Sequence, residues 1–110
     1  MSKRKSRGIT ADSTVYLAGA GWRYSDASMG CIATTAKKAE SECFKQMREE
    51  AKTARDDDWN ERPRPTIASK LSEIAYYGVH AEKLRDIVSE RSLSEKIRDL
   101  NEDGYTYPDY

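Results

Sequence analysis

The clearest hydrophobic periodicity in the chain lies between residues 36 and 54. Apolar side chains recur there at spacings of one, three and four residues, which places them on one face of an α-helix. They are Ala36, Ala39, Cys43, Phe44, Met47, Ala51 and Ala54. Thr35 has the short hydroxyl side chain that commonly caps a helix N-terminus. The pattern therefore predicts a long amphipathic helix over residues 36–55.

A β-hairpin is predicted over residues 14–35, before this helix. Its first half is rich in β-branched and aromatic residues, and Gly19 and Gly21 within it suggest a bent or bulged strand. Turn-forming residues follow at 25–30, and a short returning strand ends the segment. Because the helix presents mainly small side chains, it can approach a sheet closely, and we expect it to pack on the hairpin.

The rest of the chain is predicted to be helical. Two prolines mark residues 56–65 as a linker, because proline ends a helix and favours an extended residue before it. After the linker, Thr66 is a candidate N-cap and Gly78 a stop signal, and a capping box begins at Ser92. These signals predict three short helices, over residues 66–77, 80–91 and 93–101.

Length limits this organisation to one domain with one core, since the chain has 110 residues. The predicted domain covers residues 13–104 and belongs to the α+β class. It consists of an N-terminal β-hairpin packed on a long amphipathic helix, followed by three short helices. Residues 1–12 are predicted to be a flexible basic arm, and residues 105–110 an acidic tail rich in tyrosine.

Composition supports a folded chain with a thin core. Charged residues make up 35% of the sequence and hydrophobic residues 37%, while the net charge is zero. Disordered chains usually combine low hydrophobicity with a large net charge. A thin core in a small domain favours association with a partner, and a homodimer is one option.

Membrane and secretory segments are not predicted from this sequence. No apolar run approaches the 18 residues of a membrane span, and the N-terminus lacks the apolar stretch of a signal peptide. Cys31 and Cys43 do not form a CxxC motif, so two reduced thiols in a cytoplasmic protein are the expectation. Cys43 lies on the apolar stripe and is predicted to be buried, whereas Cys31, beside the hairpin turn, is predicted to be exposed.

Catalytic and metal-binding constellations are also not predicted. A structural zinc site needs four ligands, and one histidine with two separated cysteines does not supply them. The fragment Gly19-Ala20-Gly21 lacks the further glycine and helix start of a nucleotide-binding loop. We therefore predict no catalytic residue, no metal and no cofactor, and we do not expect an enzyme.

An acidic cluster beside a tryptophan is the strongest candidate for a contact surface. Asp56, Asp57 and Asp58 end the long helix, where the helix dipole favours cations, and Trp59 is a residue type enriched at interface hot spots. Such local conflicts are typical of functional surfaces. The predicted protein-binding residues are these four and four tyrosines: Asp56, Asp57, Asp58, Trp59, Tyr76, Tyr77, Tyr105 and Tyr107.

These observations predict a small non-catalytic protein-binding module whose partner is another protein. Small, highly charged α+β chains are typical of phage and mobile-element proteins that inhibit a host machine, and the prediction includes an inhibitor of that kind by analogy.

The alternative hypothesis is a nucleic-acid-binding regulator. Residues 66–91 resemble a degenerate helix-turn-helix, and the arm is basic. Its predicted second helix carries as many acidic as basic residues, which weakens the attraction to phosphates. The residues expected to contact nucleic acid in this hypothesis are Lys3, Arg4, Lys5, Arg7, Lys83 and Arg85.

Overall fold

The computed structural model describes residues 8–23 and 28–108, which form one antiparallel sheet and four helices. The strands are β1 (Thr14–Trp22), β2 (Ser28–Ala33), β3 (Ile74–Lys83) and β4 (Tyr105–Thr106). The helices are α1 (Ala36–Asp57), α2 (Ile67–Leu71), α3 (Leu84–Ile87) and α4 (Leu93–Asp103). Their order across the sheet is β3-β1-β2-β4, and the α+β class with its early hairpin and long helix is confirmed.

The prediction of two helices at 66–77 and 80–91 is wrong. Residues 74–83 form β3, which pairs with β1 along its whole length, and only the short α2 and α3 remain on either side of it. Gly78 does not stop a helix but lies opposite Gly19 in the sheet. The physical reason is long-range pairing: aromatic and β-branched residues at 76–79 fit a pleated sheet, and β1 has a free side for them. The segment is therefore not a helix-turn-helix.

Helix α1 starts as predicted and buries a narrow stripe. The Thr35 hydroxyl accepts a hydrogen bond from the Lys38 N–H at 3.1 Å, which confirms the N-cap. Its buried residues are Ala39, Glu42, Cys43, Met47 and Ala51. Phe44, which was predicted to face the core, is 48% exposed. Consecutive helical residues are about 100° apart. Because Cys43 lies at the centre of the buried stripe, Phe44 lies at its margin.

The core on the α1 side of the sheet is built from small side chains. Ala18, Ala20, Cys31 and Ala33 of the hairpin pack against α1. Cys31 is fully buried, contrary to the prediction, because the returning strand turns it towards the helix. Burial, reinforced by the Glu42 carboxylate, raises the pKa of the Cys31 thiol to about 12.

The opposite face of the sheet is covered at one end only. Val15 and Ile32 pack there against Leu84 of α3 and Leu100 of α4. Helix α4 confirms the predicted third helix, and it ends at Gly104, whose φ of 83° is the left-handed conformation that glycine adopts readily. The predicted capping box at Ser92 does not form by side-chain bonds to the helix; its hydroxyl lies 3.0 Å from that of Ser89.

Candidate functional site

The register of the sheet places one row of β3 side chains on the same face as α1. Tyr77, Val79 and Ala81 lie opposite Ala20, Ala18 and Tyr16 of β1, whose side chains share that face. Helix α1 packs mainly on β1 and β2. A strip of the sheet above β3 is therefore left beside α1, and Leu71 of the short α2 borders it.

An apolar groove occupies this strip, with a volume of about 690 Å³. Its floor and walls are hydrophobic side chains from α1, α2 and β3: Phe44, Met47, Leu71, Ile74 and Tyr77. Phe44 and Tyr77 are each close to half exposed, so two aromatic rings stand at the mouth of the groove. Aromatic side chains at a water-accessible apolar cleft are typical of binding surfaces.

Charged residues line only the α1 side of the groove. Lys37 and Glu40 supply one charge of each sign, and Ser41 also lines this side. Partial burial, reinforced by the Glu40 carboxylate, raises the pKa of the Tyr77 hydroxyl. The hydroxyl therefore stays protonated at neutral pH and is a hydrogen-bond donor at the mouth of the groove.

The outer edge of β3 runs beside the groove. β3 is the terminal strand of the sheet, and among the described residues its only neighbour in the sheet is β1. The Leu84 N–H donates to the Ser13 carbonyl at 3.0 Å, and hydrogen-bonded pairs alternate with non-bonded pairs along an antiparallel ladder. It follows that Gly78 and His80 bond to β1, whereas Tyr77, Val79 and Ala81 direct their N–H and C=O groups to the outer edge.

The other edge of the sheet is closed. β4 covers Ile32 and Ala33 of β2. Where β4 ends, Gln46 of α1 takes its place: its amide nitrogen donates to the Gly30 carbonyl at 2.6 Å, and its oxygen accepts from the Gly30 N–H at 3.2 Å. A long strand edge without such protection is a template for pairing with another chain, and within residues 8–23 and 28–108 no strand pairs with the outer edge of β3.

A second, smaller cavity of about 310 Å³ lies on the opposite face of β3. Gly19 and Gly78 form a flat part of its lining, and Tyr76, His80 and Pro108 lie around it. The Tyr76 ring lies over Gly21, where a Cβ atom would be 2.6 Å from the ring Cζ. The Tyr76 ring thus covers the backbone at Gly21, where a residue with a side chain would clash with it.

The structure accounts for most of the acidic cluster by local pairing. Asp56 lies 3.1 Å from the guanidinium of Arg55, and the Asp58 carboxylate lies 2.6 Å from the Lys70 ammonium. The hydrogen bond that Lys70 donates to Asp58 raises the pKa of the Lys70 ammonium. These cations offset the unfavourable interaction between the carboxylates and the C-terminal end of the helix dipole. Asp57 and Trp59 remain exposed, Trp59 at 65%.

The predicted tyrosines do not form one surface. Tyr76 and Tyr77 lie on opposite faces of β3, because successive residues of a strand alternate. Tyr105 and Tyr107 pack edge to face at 5.8 Å beside β4, at the other edge of the sheet. Of the eight predicted residues, Tyr77 is the one in the groove, and the sequence reasoning missed Phe44, Leu71 and Ile74.

The residues of the nucleic-acid hypothesis are also separated from any recognition helix. Lys83 ends β3, and Arg85 in α3 forms an ion pair with Asp12 at 2.7 Å. Lys3, Arg4, Lys5 and Arg7 lie outside the described residues. The structure instead shows a basic stripe on one flank of α1, with residues at spacings of three and four: Lys45, Arg48, Lys52 and Arg55. The sequence analysis did not predict this stripe.

Within residues 8–23 and 28–108, no group of three or more His, Cys, Asp or Glu is placed to hold a metal ion. In the same part of the chain, no helix combines the length and the hydrophobicity needed to cross a membrane. The chain matches no protein-family model, no curated protein and no solved structure.

Proposed function

We propose that this chain is a non-catalytic protein-binding module, and that it binds an extended segment of its partner along the outer edge of β3. The observation that carries the proposal is the position of the apolar groove beside the outer edge of a ten-residue strand, an edge that no other described strand pairs with. An added strand would lie about 4.8 Å from β3.

The two features supply different parts of recognition. Backbone N–H and C=O groups at Tyr77, Val79 and Ala81 bind any extended chain, which gives affinity. Every second side chain of that segment would point to the α1 side of the sheet, against Phe44 and Tyr77, and this contact selects apolar residues at alternate positions. Such binding acts by occupying a partner's surface, which is how an inhibitor or an adaptor works without chemistry of its own. Free, buried Cys31 and Cys43 fit the reducing cytoplasm that we propose as its location.

Selection from a display library of random dodecapeptides tests the proposal without a known partner. We expect the enriched peptides to carry apolar residues at alternate positions and to slow amide hydrogen exchange at Val79 and Ala81. Phe44→Lys should abolish their binding, because Phe44 is exposed at the groove. Trp59→Lys is the matched control, an exposed aromatic outside the groove, and should leave binding intact. Equal binding by both variants, or no enrichment by a monomeric chain, would contradict the proposal.

A nucleic-acid-binding function is the second candidate, and the basic stripe on α1 is the observation that favours it. Its four cations share one flank of the helix, although Lys45 also contacts Glu42 at 3.3 Å and Arg55 contacts Asp56. Binding to random duplex DNA at about 50 mM salt is the test, because even non-specific binders retain affinity there. Absence of binding, or binding that survives Arg48→Glu with Lys52→Glu, rules out this stripe.

A further inference from the structure

We infer that the extended segment bound at the β3 edge is β3 of a second copy of this chain, paired antiparallel around a two-fold axis at Val79. The inference rests on the proposed function, since it names the partner of the same surface. Two-fold association requires a surface that is complementary to itself, and β3 meets that requirement in its register, its side chains and its surroundings.

The regular part of the strand determines where the axis can lie. The pairing with β1 is continuous from Tyr76 to Lys83, and it is interrupted between Tyr76 and Ile74, where Ala75 is an extra residue. The outward-directed residues of the regular part are Tyr77, Val79, Ala81 and Lys83. Lys83 is already the N-cap of α3, and the other three are centred on Val79. An axis there pairs Val79 with itself and Tyr77 with Ala81 of the second copy, which gives about six backbone hydrogen bonds between the two chains.

Side chains in this register place large residues opposite small ones on both faces. On the α1 face, Tyr77 lies opposite Ala81 of the second copy. On the other face, His80 lies opposite Gly78 of the second copy, and Glu82 lies opposite Tyr76, whose ring is directed over Gly21 of its own chain. Cross-strand pairs of this kind stabilise a sheet, whereas an axis at His80 would place that residue opposite itself.

The surroundings leave room for the second copy. A two-fold axis perpendicular to the sheet puts both α1 helices on one face of a continuous sheet. Since α1 lies over β1 and β2, the two helix axes would be separated by about four strand spacings, roughly 19 Å, and packed helices need only about 10 Å. Tyr77 of each copy would lie beside Ala81 of the other copy and lose exposure to water, whereas the two Tyr77 Cα atoms would be roughly 15 Å apart along the strands.

Disulfide crosslinking tests the register. In the inferred pairing the two Val79 Cα atoms lie about 5.5 Å apart, within the range of a disulfide, whereas the two His80 Cα atoms lie about 8 Å apart and outside it. Cys31 and Cys43 are buried and do not compete. We expect mild oxidation to convert Val79→Cys to a covalent dimer and to leave His80→Cys without a covalent crosslink. Crosslinking of His80→Cys instead, or of neither variant, would overturn the inference.

Sedimentation velocity tests the association itself. At a concentration of about 0.1 mM, we expect the unmodified chain to sediment at twice its mass of 12.5 kDa. At that concentration a chain that dimerises with a Kd of about 1 μM is almost entirely dimeric. Ala81→Pro removes an outward N–H without touching the β1 ladder, and two such losses per dimer should raise the Kd at least about tenfold. Thermal unfolding of the Ala81→Pro variant reports whether its fold is intact. If the fold is not intact, crosslinking of Val79→Cys determines whether the inferred pairing holds.

The outcomes separate this inference from the proposed function. A chain that stays monomeric, yet binds selected peptides in a Phe44-dependent manner, refutes the second copy and leaves the protein-binding surface in place. A monomeric chain that enriches no peptide refutes both.

Discussion

Replacing Gln46 with alanine would reopen the edge of β2 that α1 closes. The Gln46 amide makes two hydrogen bonds to Gly30, one to each backbone polar group, and Gly30 is buried. The alanine variant loses both bonds and leaves a buried N–H and C=O without a protein partner. A neutral hydrogen bond contributes about 1 kcal/mol net, and a buried group left unpaired costs about 1–3 kcal/mol. We expect the free energy of unfolding to fall by about 2–4 kcal/mol, a large share of the roughly 5–15 kcal/mol typical of a domain.

Urea unfolding of Gln46→Ala measures this loss, and amide exchange at Gly30 localises it. Glu49→Ala is the matched control, because Glu49 is exposed on the same helix and should change stability by less than about 0.5 kcal/mol. Gln46→Glu refines the test: the carboxylate can still accept from the Gly30 N–H but faces its carbonyl with no proton to donate. We expect that variant to regain stability as the carboxyl is protonated at low pH.

Two results would refute this reasoning. One is a Gln46→Ala variant within about 0.5 kcal/mol of the parent, which would mean that the two bonds are readily replaced by water. The other is faster exchange throughout the molecule without a specific change at Gly30, which would assign the effect to helix packing instead of the strand edge.

Three further predictions concern the core and its titration. Gly21→Ala should displace the Tyr76 ring and cost about 1–3 kcal/mol, whereas Gly78→Ala, with open space at its Cβ position, should be tolerated in the same urea titration. The Cys31 thiol, with a pKa of about 12, should resist alkylation at neutral pH until the chain unfolds; rapid alkylation of the folded chain would contradict its burial. Burial opposes the charge of Glu42, but hydrogen bonds from two lysines outweigh it and lower its pKa below the ordinary 4.5. The resulting stabilisation is present above pH 4.5 and is lost as the pH falls through the lowered pKa. Glu42→Gln should therefore make the free energy of unfolding less dependent on pH in the acid range, and an unchanged dependence would count against the pairing.

Local signals in the sequence predicted the hairpin, α1 and α4, because each is specified by its own residues. Thr35 caps α1, and Gly104 ends α4 in the left-handed conformation. β3 was missed because its identity depends on a partner about sixty positions away. Residues 74–83 contain enough helix-compatible residues to satisfy a helical pattern, and only the free side of β1 makes the extended conformation the better one for Tyr76 to Val79.

The candidate site could not be predicted for a related reason, which lies in the order of the strands. Phe44 belongs to the apolar stripe of α1 by spacing, and it becomes a surface residue because α1 is centred over β1 and β2 instead of β3. If β3 lay inside the sheet, a neighbouring strand would bind the outward N–H and C=O groups of Tyr77 and Val79. At the end of the order β3-β1-β2-β4 the same residues form an open edge, and the one protective device of the helix, Gln46, is directed to the opposite edge. Among the described residues, a dedicated side chain closes one edge and the longer β3 edge lies open beside an apolar groove, and this asymmetry is the basis of the proposed strand pairing.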